Sequence, residues 1–312
     1  MNRIHFWIPV IALVAWQASA QVGNGRIALA DFDDSRSTQI FTMNPDGSDR
    51  IQLTARPDEH WMPAWSPDGR KIAYVSRRPT GMSIHVMNAD GTSARQLTGS
   101  ATGLISMAPS WSPDGKTIAF SSQSFGDGGF AIWLMSPEGT HREQILSGFD
   151  NNVPSWSPDG ANLAFTSNRG GRYEIWVMNA DGTNLRRLTS AYYDPVLAAA
   201  IEQKVPAWSP DGRFIAYWAG VEGTDPRTNL PRDVWIMNAD GSGQRRLVPG
   251  DDPAWSPDST LIIYPTLSND QLAVGAIDPS GSNARVLFRT NGDWARASWQ
   301  RRVMTKRRAV SR

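Results

Sequence analysis

The chain has 312 residues, of which 40% are hydrophobic, and this length and composition are sufficient to bury a large core. Its 31 Lys and Arg residues nearly balance its 30 Asp and Glu residues, which excludes the charge excess typical of proteins that bind nucleic acids or anionic membranes. The absence of cysteine excludes disulfides, thiolate metal sites and a cysteine nucleophile.

Residues 1–20 have the pattern of a secretory signal peptide. A short basic start at Arg3 precedes an apolar run from Phe6 to Trp16, and the segment closes on the small residues Ala18-Ser19-Ala20. The apolar run is shorter than the roughly 20 residues that a membrane-spanning helix needs, although an uncleaved anchor is the alternative. We therefore expect cleavage before Gln21, a periplasmic or secreted protein, and no transmembrane segment in the mature chain.

After this segment the chain consists of repeats of about 45 residues. The string Trp-Ser-Pro-Asp-Gly begins at Trp65, Trp111, Trp156 and Trp208, recurs as Trp-Ser-Pro-Asp-Ser at Trp255, and is followed by a sixth tryptophan, Trp299. A second string, typified by Ile-Trp-Val-Met-Asn-Ala-Asp-Gly, has copies that begin at Ile40, Ile84, Ile132, Ile175, Val234 and Val274. Self-similarity with this period is typical of a β-propeller.

Each repeat has the pattern of four short antiparallel strands, because Ser-Pro-Asp-Gly and Asn-Ala-Asp-Gly both suit tight turns between alternating apolar segments. Three strands, at 25–30, 39–43 and 49–53, precede the first Trp strand, and a lone Trp strand at 297–300 ends the series. The sequence therefore predicts an all-β, six-bladed β-propeller of four-stranded blades over residues 21–300, with the C-terminal strand joining the first blade and closing the ring. We expect the basic tail, 301–312, to be disordered.

The tight turns should lie on one face of the propeller, here called the turn face, and the other connections on the opposite face, here called the loop face. The insertions at 31–38, 123–130, 190–205 and 220–233 all fall on the loop face. Variable loops often carry function. We therefore predict a binding site from residues just ahead of the Trp strands, namely His60, Trp61, Asn151, Gln203, Asp251, Asp252 and Trp294. A simpler interpretation is that these positions are polar because water touches them.

Carboxylates are frequent in the same region. Oxygen ligands of this kind could hold Ca²⁺, which accepts about six to eight of them, and the weak candidates are Asp58, Glu59, Asp150, Asp252 and Asp293. No cofactor is required by the sequence. A multi-histidine metal site is not expected, since only His60, His85 and His141 follow the signal segment.

Three features allow the interpretation of the repeat to be tested. We interpret the recurring Asp of both tight turns as turn chemistry rather than as a ring of catalytic acids. Ser259 replaces a turn glycine and should adopt the left-handed conformation at a cost of about 1 kcal/mol. In the segment 194–202, Pro195 is followed by good helix formers, which predicts a helix of one or two turns.

The repeated Pro-x-Trp-Ser-Pro-Asp-Gly string, with Pro63 as its first proline, resembles the WD-repeat-like propeller of the TolB family over residues 25–300. In that family the propeller binds the peptidoglycan-associated lipoprotein, so the resemblance implies an envelope protein as partner. An envelope polysaccharide is the alternative partner class, and the balanced charge argues against a nucleic acid. Only residues 21–24 would precede the first strand, and the family's N-terminal α/β domain is therefore not expected. Similar blades precede the catalytic domain of prolyl oligopeptidase-like peptidases, but this sequence has no Gly-x-Ser-x-Gly nucleophile elbow.

The sequence leaves more than one function open. The leading hypothesis is an exported, non-catalytic scaffold that binds a protein or an envelope polymer on its loop face. The rival is a secreted propeller enzyme, a carbohydrate lyase, hydrolase or lactonase, with a carboxylate-held metal in the central channel, similar to oligogalacturonate lyase or gluconolactonase propellers. Self-association of the ring is a third hypothesis. The scaffold is favoured because no catalytic signature occurs in the sequence.

Overall fold

The computed structural model of the protein describes residues 24–99, 104–123, 128–195, 199–221, 232–269, 271–290 and 297–300. The first strands are β1 (Ile27–Phe32), β2 (Thr38–Met43), β3 (Ile51–Gln52), β4 (Glu59–Trp65), β5 (Lys71–Arg78), β6 (Gly81–Asn88), β7 (Arg95–Gln96) and β8 (Ile105–Trp111). They are followed by β9 (Ile118–Gln123), β10 (Ala131–Met135), β11 (Glu143–Leu146), β12 (Asn151–Trp156), β13 (Asn162–Ser167), β14 (Glu174–Asn179), β15 (Arg186–Arg187) and β16 (Tyr192–Asp194). The last are β17 (Ala199–Trp208), β18 (Phe214–Val221), β19 (Arg232–Asn238), β20 (Arg245–Pro249), β21 (Ala254–Trp255), β22 (Ile262–Ser268), β23 (Gln271–Ile277), β24 (Arg285–Arg289) and β25 (Ala297–Trp299).

Four-stranded antiparallel sheets are the unit of this fold, as the repeat predicts. Strands β12–β15 and β21–β24 form two of them, and β16 adds a fifth strand to the sheet of β17–β20. Strands β4–β7 and β8–β11 form two more antiparallel sets, joined into one sheet through a single parallel pair, Met82 and Ile105. The C-terminal strand β25 shares a sheet with β1–β3, where Trp299 is paired with Ile27. The protein is an all-β propeller with antiparallel four-stranded blades.

The strands that carry the repeated tryptophan contact one another in series. Strand β4 contacts β8, β8 contacts β12, β12 contacts β17, β17 contacts β21, β21 contacts β25, and β25 contacts β4. Each of these inner strands begins at the loop face and ends in its tryptophan at the turn face. The loop-face ends of the inner strands are therefore brought together, and these ends carry the residues predicted to bind.

The core is divided among hydrophobic clusters that lie between neighbouring sheets. In one cluster Ala119 and Ile132 of one sheet pack against Leu163, Phe165 and Met178 of the next. The second strand of a repeat is therefore apolar on both faces, since each face is covered by a different sheet: Ile118, Ala119 and Phe120 are all buried. This two-sided burial explains why the strands do not show a strict alternation of apolar and polar residues.

The tight turns confirm the predicted turn chemistry. In the first copy, Asp68 Oδ1 accepts hydrogen bonds from Ser66 Oγ at 2.6 Å and from the Arg70 N–H at 3.0 Å, while Gly69 has φ = 67°. Ser259 occupies the equivalent glycine position with φ = 61°, as predicted. Its hydroxyl also accepts a hydrogen bond from the Asp211 N–H at 3.0 Å, a contact between repeats that a glycine could not make.

The predicted helix over 194–202 was wrong. Tyr192–Asp194 is a strand that pairs antiparallel with Ala199–Ile201, and the second of these strands continues to Trp208 in register with β18. The helix preference of alanine amounts to a few tenths of a kcal/mol per residue, whereas the extended backbone gains ladder hydrogen bonds on both sides. Tertiary pairing therefore overrides local propensity here.

Two other predictions concern segments that the structure does not describe. The signal segment, 1–20, and the basic tail, 301–312, both lie outside the described residues. Within the described ranges, no helix has the length and hydrophobicity needed to cross a lipid bilayer.

Candidate functional site

The predicted binding residues that the structure describes gather at the loop-face ends of the inner strands. His60 and Trp61 lie in β4, Asn151 in β12, Gln203 in β17, and Asp251 and Asp252 just before β21. His60, Asn151, Gln203 and Asp251 are buried, whereas Trp61 and Asp252 are half-buried. Asp293 and Trp294 lie outside the described residues. The loop face therefore presents a layer of polar side chains, most of which are buried.

His60 is held by the side chain of Gln39 from the neighbouring sheet. Gln39 Oε1 accepts hydrogen bonds from His60 Nδ1 at 2.9 Å and from Thr54 Oγ1 at 2.8 Å, while Gln39 Nε2 donates to the Asp58 carbonyl at 3.0 Å. The Tyr74 ring meets the imidazole edge-on, with 5.4 Å between ring centroids. Burial lowers the pKa of His60 to about 4. His60 is therefore neutral at pH 7 and acts as a hydrogen-bond donor that ties two sheets together.

The two carboxylates ahead of His60 form ion pairs. Asp58 Oδ2 lies 2.8 Å from Arg78 Nε and accepts a hydrogen bond from Ser76 Oγ at 3.1 Å. Burial opposes ionisation of Asp58, but the hydrogen bonds from Arg78 and Ser76 outweigh it, and its pKa is lowered. Glu59 lies 3.3 Å from Arg77 at the surface. Both carboxylates are therefore paired with arginines.

Asn151 organises the equivalent end of β12. Its Oδ1 accepts hydrogen bonds from Ser167 Oγ at 2.8 Å and from Arg169 Nη2 at 2.9 Å, and its Nδ2 donates to the Phe149 carbonyl at 2.9 Å. The adjacent Asp150 accepts hydrogen bonds from the Phe130 N–H at 3.0 Å, from Asn152 Nδ2 and from the Tyr173 hydroxyl. This arrangement holds the Phe149 backbone and the Arg169 side chain close together.

Asp251 is a buried carboxylate with a close arginine partner. Its Oδ2 lies 2.5 Å from Arg232 Nη1, and the guanidinium of Arg232 lies 4.7 Å from the centre of the Trp218 ring. Burial, with the nearby charge of Asp252, raises the pKa of Asp251 against the opposing effect of Arg232. Asp251 and Arg232 therefore form a buried pair between the start of β19, which carries Arg232, and the segment just before β21, which carries Asp251.

Several buried polar atoms at this face have no hydrogen-bond partner among the described residues. They are Trp61 Nε1, Asn152 Oδ1, Gln203 Oε1, Glu174 Oε2 and Arg232 Nε. A buried polar atom without a partner costs about 1–3 kcal/mol. Trp65 Nε1, Trp176 Nε1, Trp208 Nε1 and Arg26 Nε also lack a partner among the described residues, so unpartnered atoms are not confined to the loop face.

The candidate metal ligands are dispersed among these networks. The described part of the chain brings together no group of three or more His, Asp or Glu side chains that could hold a metal ion. Asp58 and Glu59 pair with arginines, and Asp150 accepts hydrogen bonds from three donors. In the described residues these carboxylates serve ion pairs and strand connections.

Clefts on the turn face were not anticipated from the sequence. One, of about 170 Å³, is lined by Trp65, Trp111, Trp156 and Trp208 with the prolines that follow them, and two larger clefts of about 540 and 510 Å³ lie between successive Ser-Pro-Asp-Gly turns. The signal was present in the sequence, because a Trp and a Pro that recur at one end of neighbouring strands must converge. The indoles serve mainly to link repeats: Trp111 Nε1 donates to the Ala64 carbonyl at 3.1 Å.

Comparison with known protein families agrees with the geometry of the repeats. Residues 21–303 match the family described as the TolB beta propeller domain, which covers nearly the whole of the described structure. The chain belongs to the TolB β-propeller family. Its Trp strands, tight turns and four-stranded blades are thus the features of a TolB propeller rather than of an unrelated repeat.

Similar proteins come from two functional groups. A 91-residue segment, 28% of this TolB-family chain, is 30% identical to the Tol-Pal system protein TolB of Rhizorhabdus wittichii and covers 18% of that protein. A 205-residue segment, 65% of the chain, is 29% identical to the uncharacterized peptidase YuxL of Bacillus subtilis and covers 28% of it. The matches therefore span less than a third of either relative's own length.

The crystal structure of TolB from Acinetobacter baumannii superposes with a TM-score of 0.74 at 24% identity, over 88% of this chain and 66% of that one. Identity at this level supports the shared fold alone. The residues of the loop face must therefore be interpreted from their own contacts.

Proposed function

We propose that this TolB-family propeller is an exported, non-catalytic scaffold that binds an envelope protein or polymer on its loop face. The observation that carries the proposal is a set of accessible aromatic and cationic side chains at that face, namely the half-buried Trp61 with the exposed Arg77 over its ring, and the exposed Phe149. Aromatic and arginine side chains of this kind are enriched where proteins bind partners. Two observations support a periplasmic or secreted localisation. Relatives are named as Tol-Pal system proteins, and residues 1–20 resemble a signal peptide.

We further propose that the blades number six and form a closed ring. Two equivalent hydrogen bonds support this arrangement. The Trp208 N–H donates to Ser155 Oγ at 3.3 Å, and Ser155 directly precedes the tryptophan of the preceding repeat. The Trp65 N–H donates to Ser298 Oγ at 3.2 Å, and Ser298 directly precedes Trp299. The last repeat thus meets the first through the contact that joins consecutive repeats.

A ring of this kind offers a rigid surface for recognition. The inner strands are fixed by pairing and by contacts with their neighbours, so side chains at their loop-face ends are held in place before a partner arrives. Preorganisation of this sort reduces the entropy lost on binding. The peptidoglycan-associated lipoprotein is the partner to test first, since the resemblance implies it and part of the chain is similar to Tol-Pal system proteins.

The test is binding of purified peptidoglycan-associated lipoprotein to the immobilised protein, measured by biolayer interferometry. The loop-face variant combines Trp61→Ala and Arg77→Ala, which remove an indole and the guanidinium 5.6 Å above its centre. A matched control on the turn face combines the exposed Lys116→Ala and Glu138→Ala. We expect the loop-face variant to bind about tenfold more weakly and the control to bind normally.

Two results would contradict the proposal. Unchanged binding by the loop-face variant with loss in the control would move the interface to the clefts of the turn face. Failure of the lipoprotein and of an envelope extract to bind at all would remove the scaffold function.

A further inference from the structure

Arg169 is a half-buried cation on the loop face that forms no ion pair with a carboxylate of the described residues. Its Nε donates to Ser167 Oγ at 3.1 Å and its Nη2 donates to Asn151 Oδ1 at 2.9 Å. The guanidinium carbon lies 5.2 Å from the centre of the Trp176 ring and 5.5 Å from that of Phe149. Within the described residues Arg169 forms no ion pair, and its second nitrogen, Nη1, makes no hydrogen bond. Three of the five guanidinium N–H groups, two on Nη1 and one on Nη2, are therefore left available.

The same position in another repeat shows how this protein normally neutralises such a charge. His60 is paired with Ser76 as Asn151 is paired with Ser167, so Asp58 and Arg78 occupy the places of Phe149 and Arg169. There Asp58 Oδ2 lies 2.8 Å from Arg78 Nε.

In a third repeat the two places hold Ile201 and Val221, which are directly paired and both uncharged. The first repeat therefore has an acid and a base that pair, and the third has neither charge. The repeat with Arg169 has the cation, but phenylalanine stands in the place of the acid.

Phe149 is itself unusual, because 49% of its surface is exposed. The exposed Phe149 ring lies beside the Arg169 guanidinium, which has free N–H donors. An apolar surface and a cationic group are therefore adjacent at this site. Arginine binds a carboxylate through two parallel hydrogen bonds, and the single charge of a carboxylate matches the single charge present here. An aromatic ring at the side of the pair excludes water and strengthens it.

We propose that Arg169 and Phe149 form a binding site for an acidic segment of a protein partner. A Glu or Asp carboxylate of the segment accepts hydrogen bonds from the Arg169 guanidinium, and an apolar side chain next to it covers the Phe149 ring. This inference deepens the proposed scaffold function by naming the chemistry of the partner, and it rests on the loop face being the binding face.

A peptide fits the site better than an acidic sugar does. A uronate ring carries hydroxyl groups that need hydrogen-bond partners when they are buried. The polar side-chain groups described here, Ser167 Oγ and Asn151 Oδ1, already bond to Arg169 and to each other, and Phe149, Phe165 and Trp176 present ring surfaces. A leucine or valine beside a glutamate needs no further polar partner.

The experiment titrates the protein with the peptide acetyl-Leu-Glu-Leu-amide and with the neutral acetyl-Leu-Gln-Leu-amide. Binding is followed by NMR on the backbone amide signals of residues 167–170, which every variant retains. We expect the Glu peptide to bind about tenfold more tightly than the Gln peptide. The variants Arg169→Gln and Phe149→Asp should both lose this preference, the second because it recreates the Asp58–Arg78 pair and neutralises the site internally. Arg78→Gln, at the equivalent position, should keep the preference.

Thermal unfolding of each variant shows whether it is folded, and Phe149→Asp tests the site even if Arg169→Gln destabilises the protein. Equal affinity of the unmodified protein for the Glu and Gln peptides would overturn the proposal, as would a preference that survives in both variants. Tighter binding of oligogalacturonate than of the Glu peptide, dependent on Arg169, would replace the peptide by a polysaccharide. Peptide binding that persists when no lipoprotein or extract partner is captured would refute the scaffold function while leaving this site in place.

Discussion

The buried His60 should make the protein less stable as the pH falls below 7. The imidazole is 7% exposed, donates from Nδ1 to Gln39 and lies against Tyr74, so a second ring proton would enter a desolvated site. The carboxylate of Asp58 favours that proton, whereas Arg78 and His85 oppose it, and burial has the largest effect. The net result is a pKa of about 4 in the folded protein against 6.5 for an ordinary histidine.

The size of the effect follows from the two pKa values. Because the folded pKa is the lower one, the unfolded chain binds more protons between the two values, and stability is lost as the pH falls through this window. Each pKa unit corresponds to about 1.4 kcal/mol, which gives a total of about 3 kcal/mol. About 2 kcal/mol of this should be lost between pH 7 and pH 5.

The assay is urea unfolding at pH 7, 6 and 5, followed by tryptophan fluorescence. The reference is His60→Asn, because Asn151 occupies the equivalent position in another repeat. His85 and the carboxylates titrate in both proteins, so the change with pH in the difference between the two free energies of unfolding isolates His60. A difference that stays constant from pH 7 to pH 5, or an NMR-determined pKa near 6.5 for His60, would refute the reasoning.

Three further predictions concern the contacts between repeats, each measured as a free energy of unfolding. Trp156→Phe should cost about 1 kcal/mol more than Trp208→Phe, since Trp156 Nε1 donates to a backbone carbonyl at 3.2 Å and Trp208 Nε1 has no partner among the described residues; equal losses would contradict this. Ser259→Ala should cost about 1 kcal/mol more than Ser259→Gly, because both variants lose the hydroxyl but only alanine keeps the left-handed strain; an alanine variant as stable as the glycine variant would show that the strain is absent. Deleting 297–312 should prevent stable folding whereas deleting 301–312 should not, because only the first removes β25 from the sheet of β1; a stable 1–296 chain would argue against a closed ring.

The repeat made most of this fold predictable from the sequence. Trp-Ser-Pro-Asp-Gly specifies both a strand end and a turn, and the structure has the strands, the turns and the left-handed Ser259 where this string places them. The segment after Tyr192 departs from the repeat, and there the prediction rested on propensity alone. Because alanine only weakly favours helix over strand, the pairing of Ala199–Ile201 with Tyr192–Asp194 decided the conformation.

The sequence was sufficient to predict where the polar side chains of the loop face lie, but not which groups they contact. Spacing from the tryptophan placed His60, Asn151 and Gln203 at equivalent ends of inner strands, which the structure also shows. The partner of His60, Gln39, lies in a different repeat and has no fixed spacing from it. Sequence order carries no information about such a contact until the sheets have been assembled.

Repetition itself separates the structural residues from the functional ones. Asp68, Asp114 and Asp159 recur with the same hydrogen bond from a serine two residues earlier, so the fold alone accounts for their presence. Phe149 and Arg169 occupy a pair of places that other repeats fill with an ion pair or with two aliphatic side chains. The shared backbone does not require a cation next to an exposed ring at these places. A requirement from outside the chain, such as an acidic partner, explains this exception to the repeat.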